Sequence, residues 1–179
     1  MDDRLLEASL YTIKGVAILD NDGERIISRY YDETFPTVKE QREFEKNLFQ
    51  KTSRQNAEII MLDGLTIVYR SSVDLYFYVM GSQYENELIL ISVLNAFFDA
   101  VSTMLRKNVE KRFLMEHLDA VLLAIDELVD GGVLLEADTA NIIQRVAIKN
   151  EADIPITEQS VSQVLRKAKT ELNKQFLKS

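Results

Sequence analysis

The chain has 179 residues, of which 46% are hydrophobic and 28% are charged. This length suits one compact domain with a short additional segment, and the composition excludes a disordered chain. Acidic residues outnumber basic residues by 29 to 21, and the resulting net charge of −8 argues against a nucleic-acid-binding protein. The sequence contains no cysteine, which excludes disulfides, zinc–thiolate sites and cysteine nucleophiles.

Neither the N-terminus nor the most apolar segment predicts a targeting or membrane-spanning element. The sequence opens MDDRLLEASLY, with two acids and without the apolar core of a secretory signal. The segment from Leu88 to Leu105 is rich in apolar residues but contains Asn95 and Asp99, which are unfavourable inside a membrane. We therefore expect a soluble, cytosolic protein, and the lack of cysteine permits that location.

The first third of the chain predicts a β-hairpin followed by a helix. Residues 11–20 (YTIKGVAILD) and 25–31 (RIISRYY) have the composition of strands. The tripeptide NDG at 21–23 predicts the turn between them, because these residues tolerate positive φ. Thr37 and Glu40 have the spacing of a capping box at the start of a helix. The apolar stripe of this helix is predicted to consist of Val38, Phe44, Leu48 and Phe49.

The middle of the chain predicts three more strands and two helices. The strands are expected at 58–62, 65–70 and 74–80. A helix that is apolar almost all round follows over 88–105, and an amphipathic helix from Phe113 is expected to end at Gly131-Gly132. The element order β-β-α-β-β-β-α-α predicts an α+β fold with a five-stranded antiparallel sheet flanked by helices.

The last quarter of the chain differs from the part before it. We place a domain at residues 1–136 and a C-terminal helical tail at 137–179. The alternation of apolar and polar residues around 142–148 is compatible with a short helix or a strand. An amphipathic helix at about 157–177 follows Pro155, and basic residues flank its apolar stripe. Packing on a partner or on the domain, contact with a membrane surface and a loosely ordered tail are alternatives for this segment.

The residue patterns predict no catalytic centre, metal or cofactor. His117 is the single histidine and is expected on a partly exposed helix face. Asp126, Glu127 and Asp130 have helical spacing, but they lack the partners of a transition-metal site, so we interpret them as a solvated face with partner contacts. The stretch DNDGE at 20–24 does not continue as a calcium loop. The six glycines form no nucleotide-binding motif, and we predict that the protein is not an enzyme.

Several stretches resemble one family of membrane-traffic proteins. They are SLYTIKGVAILDNDGERIISRYY, FPTVKEQREFEKNLFQKTSR, DLYFYVMGS, YENELILISVLNAFFDAVSTMLRKNVEKR, AIDELVDGGVLLEAD and, in the tail, VSQVL. Together they span nearly the whole chain and are similar to the zeta small chains of coatomer, the COPI vesicle coat. The stretches NELI and DELVDGG are also similar to the sigma small chains of clathrin adaptors.

This resemblance implies a longin-like, adaptor small-chain fold without catalytic activity. Members of the zeta family pair with the large gamma subunit of the heptameric coat, alongside the other coatomer subunits. An Arf-family GTPase recruits the assembled coat from the cytoplasm to the Golgi membrane, where COPI-coated vesicles form for retrograde Golgi-to-ER and intra-Golgi transport. The resemblance therefore implies a peripheral subunit on the cytoplasmic face of the Golgi membrane.

Five apolar or aromatic residues are predicted to contact the partner, because permanent interfaces are large and relatively apolar. These candidates, which we expect to lie off the central core, are Tyr30, Tyr31, Phe35, Phe49 and Leu65. The alternative for each of them is that it packs beneath the first helix.

Two other classes of protein are alternatives to a coat subunit. A sigma-type adaptor chain or another regulatory longin module would share the predicted element order. A SNARE with such a domain needs a long heptad segment after it, and the predicted tail helix is too short. An enzyme is the weakest alternative, because no nucleophile–base pair is evident.

Overall fold

The computed structural model describes residues 12–54 and 58–152. The main strands are β1 (Ile13–Asp20), β2 (Arg25–Tyr30), β3 (Ile59–Leu62), β4 (Leu65–Ser72) and β5 (Leu75–Ser82). The helices are α1 (Val38–Thr52), α2 (Glu87–Met104), α3 (Lys111–Glu116), α4 (Leu118–Leu128) and α5 (Thr139–Ala152). Between α4 and α5 lies a short hairpin of β6 (Val129–Asp130) and β7 (Val133–Leu134). The main strands form one antiparallel sheet in the order β2-β1-β5-β4-β3, which confirms the predicted α+β fold.

The sheet separates two hydrophobic clusters. α1 covers one face, where Leu48 and Tyr78 are fully buried. α2, with α4 packed beside it, covers the other face. There Phe77 meets Phe97 and Phe98 edge-to-face, with ring centroids 5.5 and 5.2 Å apart. Because neighbouring strand residues point to opposite faces, Phe77 on β5 joins the cluster beneath α2 and Tyr78 joins the cluster beneath α1.

The local signals at the first turn and at the start of α1 form as predicted. The backbone N–H of Glu24 donates to Asp20 Oδ1 (2.8 Å) within the β1–β2 turn. Thr37 Oγ1 accepts a hydrogen bond from the Glu40 N–H (3.2 Å), and the Glu40 carboxylate accepts one from the Thr37 N–H (3.0 Å). These two bonds complete the capping box. The predicted apolar stripe is wrong at Val38, which is 59% exposed and does not join the buried residues of α1.

The predicted helix from Phe113 to the glycine pair is in fact two helices and a hairpin. His117 (φ −126°, ψ 30°) lies outside the helical region and separates α3 from α4. Val129 has extended backbone (φ −140°, ψ 128°) and starts β6. Gly131 and Gly132, with φ of +54° and +89°, make the turn of this hairpin and do not cap a helix. Apolar spacing indicates which face of a segment is buried, but it cannot distinguish a last helical turn from a short strand.

The stretch at 142–148 is helical within α5. Ile142 and Val146, four residues apart and therefore on one helix face, are 1% and 3% exposed. The chain divides into two compact units, Met1–Val146 and Ala147–Ser179, and only the end of α5 is described in the second. The tail helix predicted at about 157–177 lies outside the described residues, and the domain boundary at 136 stays a prediction.

α2 has the length and hydropathy of a membrane-crossing helix. Its mean hydropathy is 1.5, and it is the single such helix within residues 12–54 and 58–152. In the fold, however, most of its apolar residues belong to the core, since Leu90 and Val93 are fully buried and Phe97 is 1% exposed, whereas Leu88 in its first turn is 71% exposed. Asn95 and Asp99 lie on its exposed face. The expectation that these two residues make the segment too polar for a span is wrong, because the helix has the required length and hydropathy with both of them included.

Candidate partner interface

The structure places the five predicted contact residues on both sides of the sheet. Tyr30, Phe35 and Phe49 are half-buried at the margin of the cluster beneath α1, and Leu65, 5% exposed, lies inside that cluster. Tyr31 packs against the cluster on the α2 side. The five side chains therefore do not form one continuous surface, and Leu65 has little surface to offer a partner.

Aromatic contacts hold the margin of α1 against the sheet. Phe35 stacks on Phe44, with ring centroids 4.4 Å apart, and meets Tyr30 edge-to-face at 5.7 Å. Phe49 lies over Gly23 in the β1–β2 turn, where an added Cβ would stand 2.6 Å from its ring. These rings join α1 to the strand pair β1–β2. Tyr30, Phe35 and Phe49 each keep part of their surface open to solvent.

A buried carboxylate ties β2 to α1. Glu45 is 2% exposed and receives hydrogen bonds from Arg25 Nε (2.8 Å) and from the Tyr30 hydroxyl (2.9 Å). Arg25 Nη2 lies 2.8 Å from the other oxygen of Glu45, which makes the pair bidentate. Burial raises the pKa of Tyr30 well above its ordinary value, and the neighbouring Glu45 charge adds to this effect. Tyr30 is thus a neutral donor that fixes the position of α1.

A second buried carboxylate ties the β1–β2 turn to α3. Asp20 is 1% exposed, and Lys111 Nζ donates to its Oδ2 at 2.7 Å. Burial alone raises the pKa of Asp20, but the hydrogen bonds from Lys111 and from the N–H groups of Glu24 and Asp22 outweigh it, and the pKa falls below its ordinary value. Asp20 is therefore ionised at neutral pH and acts in folding.

The predicted acidic face near α4 is divided in the structure. Asp126 is exposed, with Oδ1 3.9 Å from Arg29 Nε, whereas Glu127 is 8% exposed and lies 3.3 Å from Arg145 Nη1. Asp130 belongs to β6 and not to the helix, which corrects the predicted helical spacing. Within the described ranges no three metal-ligating side chains come together. His117 is exposed, and its Nδ1 lies 2.9 Å from the carbonyl oxygen of Phe113.

The outer strand β3 presents an apolar edge. Its four residues are uncharged, and Ile59 and Met61 expose 38% and 64% of their surface. Met61 pairs with Thr66, and Thr66 pairs with Gly81, so the three share one face of the sheet. This is the α2 face, because a Cβ at Gly81 would lie 2.8 Å from Leu90. Ile59 and Met61 therefore emerge on the same face as α2.

Apolar residues near the start of α2 extend this surface. The Gln83 N–H donates to the Gly64 carbonyl (3.2 Å), which holds the β5–α2 loop against the β3–β4 turn. In that loop Tyr84 is 80% exposed, and Leu88 in the first turn of α2 is 71% exposed. We define the β3 patch as Ile59, Met61, Tyr84 and Leu88.

The β3 patch was not predicted from the sequence. Residues 58–62 were predicted as a strand, but its position at an edge depends on a sheet order that pairs residues far apart in the chain. One signal was available in the charge pattern. Segments 58–65 and 82–92 contain no Lys or Arg, and their charged residues are Glu58, Asp63, Glu85 and Glu87.

Comparisons with known proteins agree over nearly the whole chain. The family profile of the clathrin adaptor complex small chain matches residues 12–153. Coatomer subunit zeta-1 of Homo sapiens is 57% identical over 178 residues, which cover 99% of this chain and 100% of the relative. Coatomer subunit zeta-2 of Homo sapiens is 56% identical over 175 residues, covering 98% and 83%. Coatomer subunit zeta-1 of Arabidopsis thaliana is 42% identical over 172 residues, covering 93% and 97%.

A structural comparison gives the same fold. A chain from a homology model of the full-length AP-3 complex in a stretched open conformation matches with a TM-score of 0.63, covering 78% of this chain and 94% of that chain. At 17% identity this likeness concerns the fold alone. Because the family profile matches most of the chain and the relatives align along its length, the chain belongs to the clathrin adaptor small-chain family and, within it, to the coatomer zeta subunits.

Proposed function

We propose that this chain is a non-catalytic small subunit of the COPI coat, held permanently by the large gamma subunit. The observation that carries the proposal is the 57% identity to coatomer subunit zeta-1 over 99% of the chain. The sigma-type alternative rests on the broader family profile, which fits both kinds of small chain. Full-length similarity to zeta subunits is the more specific observation and favours the coat of Golgi vesicles.

The arrangement of buried charges supports a structural role. Asp20, Glu45 and Glu127 are each 8% exposed or less, and each lies beside a cation from another element. A buried carboxylate in such a pair holds elements in place, and its charge is already compensated. These groups therefore act in shaping the surface that a partner recognises.

Recruitment to membranes is proposed to occur through the complex. In this account the chain enters the coat with gamma and the other coatomer subunits, and an Arf-family GTPase brings the assembly to the cytoplasmic face of the Golgi membrane. The net charge of −8 supports an indirect attachment, because it disfavours close contact between the whole chain and anionic lipid.

We propose that four of the five predicted contact residues touch the partner directly and that the fifth supports them. Tyr30, Phe35 and Phe49 keep exposed surface beside α1, and Tyr31 keeps some on the other side of β2. Leu65 is proposed to act indirectly, since it packs inside the cluster that supports these rings. A partner that covers Tyr30, Phe35 and Phe49 would rest against the α1 side of the molecule.

The proposed function is tested by co-expressing the tagged full-length chain with the gamma subunit of coatomer. Size-exclusion chromatography with light scattering is expected to show a complex with one copy of each chain. A parallel pull-down from cytosol is expected to recover the coatomer subunits in stoichiometric amounts. A chain that stays monomeric beside gamma, or that recovers clathrin-adaptor subunits in their place, would contradict the proposal.

A further inference from the structure

We propose that the β3 patch is a docking surface for the large coat subunit, and that the docking partner is an apolar surface bordered by Lys and Arg. This inference rests on the proposed function, because it gives the large subunit a second contact surface, on the α2 face, beside the α1-side contacts proposed above. It adds the contact surface and the chemistry of the partner to that function.

The two edges of the sheet differ in how they are protected. Folded proteins protect an edge strand with charges, bulges or covering elements, because its open backbone groups otherwise pair with other chains. The β2 edge carries Arg25 and Arg29, and its pairing with β1 is irregular between Ile18 and Leu19. The β3 edge has the sequence IIML, without a charge or proline, and its exposed side chains are apolar.

Exposed apolar side chains lie around this same edge. Met61 at 64%, Tyr84 at 80% and Leu88 at 71% come from two segments of the chain, which the hydrogen bond between Gln83 and Gly64 holds together. An exposed apolar surface that includes a large aromatic residue is typical of a protein interface. An edge strand in addition offers backbone N–H and C=O groups to an extended segment of the partner.

The charges near the patch indicate the chemistry of its occupant. Segments 58–65 and 82–92 carry four acids, Glu58, Asp63, Glu85 and Glu87, and no base. The nearest basic residues lie away from Met61: Arg70 stacks over the Phe98 ring beyond Ile59, and Lys51 and Arg54 lie beside Leu62 on the α1 face. Two copies joined through this surface would place the acids against each other, and an anionic membrane would be repelled in the same way. A partner with basic residues around an apolar centre matches both the apolar side chains of the patch and the acids beside it.

The main test compares two matched methionines in the full-length chain, each co-purified with the gamma subunit. Met61→Lys places a charge at the centre of the patch, and Met115→Lys makes the same change at a 51% exposed site on α3. We expect Met61→Lys to weaken the complex about tenfold or more, because a buried unpaired charge removes a central contact, and Met115→Lys to bind as the wild type does. Binding unchanged by Met61→Lys would overturn the proposal.

A second pair of variants tests the charge argument. Glu58→Lys with Glu85→Lys alters the rim, whereas Glu116→Lys with Asp119→Lys alters exposed acids on α3 and α4, away from both proposed contact surfaces. Each pair adds four units to the net charge of −8, giving −4. We expect the rim pair to slow association with gamma and to reduce its salt dependence, while the control pair leaves both unchanged. Equal effects of the two pairs would show that overall charge, and not the rim, governs binding.

The outcomes separate this inference from the proposed function. If the wild-type chain has no affinity for gamma, the proposed function is wrong and the patch loses its partner. If the wild type and Met61→Lys bind gamma equally, the proposed function stands and the inference is wrong. A wild-type homodimer, or wild-type binding to vesicles containing phosphatidylserine, that Met61→Lys abolishes while binding to gamma persists would assign the patch to another occupant and overturn the inference.

Discussion

Both edge strands of the main sheet have one side without a neighbouring strand, and the chain secures β2 but leaves β3 open. At the β2 edge, Arg25 and Tyr30 reach back to the buried carboxylate of Glu45 on α1, so the outer strand is joined to the helix beside it. At the β3 edge, Ile59 and Met61 are exposed and no charge lies within the strand. One edge is secured within the chain, and the other offers apolar surface.

This difference shows how a small subunit can be stable and yet incomplete. Buried ion pairs such as Arg25–Glu45 contribute little beyond what apolar residues would, but breaking one leaves a buried charge uncompensated. An open apolar edge has the opposite property, because it adds little to the stability of the free chain and much to association. Changes at the β2 edge should therefore lower stability, whereas changes at the β3 edge should lower partner binding.

The largest loss of stability is expected from Glu45→Ala at the secured edge. The substitution leaves Arg25 and the Tyr30 hydroxyl without their shared acceptor, and we expect a decrease of about 3 kcal/mol in the free energy of unfolding. Urea denaturation of the isolated chain measures this value. The control is Glu43→Ala, an exposed change on the same helix that should cost less than about 0.5 kcal/mol. Similar values for the two variants would show that the Glu45 network does not secure β2.

A smaller loss is expected from Thr37→Ala at the start of α1. The substitution removes the side-chain acceptor of the Glu40 N–H and opens the capping box, which should cost about 1 kcal/mol. The urea midpoint should fall without a change in the slope of the unfolding transition. Thr37→Ser, which keeps the hydroxyl, should stay close to the wild type, and a Thr37→Ala protein as stable as the serine variant would contradict the assignment.

The Asp20 carboxylate should make the secured edge sensitive to acid. Its pKa in the folded chain lies below the ordinary value of 3.8, so ionised Asp20 stabilises the fold above that pH, and this contribution is lost as the pH falls through the folded pKa. Asp20→Asn should therefore be less stable than the wild type at pH 7, with the difference shrinking below about pH 4. Thermal unfolding of both proteins across this range gives the comparison. A constant difference at every pH would exclude the charge as its cause.

The smallest effect on stability is expected from Met61→Lys at the open edge. The side chain is 64% exposed and lysine is well tolerated on edge strands, so the free energy of unfolding should change by less than about 0.5 kcal/mol. Met115→Lys provides the reference for an exposed methionine elsewhere. A loss above about 1.5 kcal/mol would show that Met61 is part of the folded core, and the contrast between the edges would then fail.

Features set by neighbouring residues were predictable from the sequence. The β1–β2 turn depends on Asn-Asp-Gly chemistry, and the capping box depends on Thr37 and Glu40 three residues apart. The break at His117 was not predictable in the same way, because the apolar spacing continues through α3 and α4. Val129 lies within the segment that was predicted as an amphipathic helix, and it is buried, but in a strand that pairs with Leu134.

The candidate interface was less predictable than the fold. Phe35 and Phe49 were predicted as partner contacts because they are aromatic, but in the structure their rings pack against Phe44 and Tyr76 respectively. The exposure of Met61 follows from the sheet order, which places β3 outside β4. The resemblance to zeta small chains implied a partner, but the position of its binding surface depends on long-range strand pairing, which composition does not indicate.

The central claim is that this chain is held by the large gamma subunit of coatomer, and its most direct test is the mass of the co-expressed pair. Light scattering after size-exclusion chromatography should give a single species with one copy of each chain, stable on dilution to nanomolar concentration as a permanent complex requires. Separate elution of the two chains, with this one monomeric, would contradict the account.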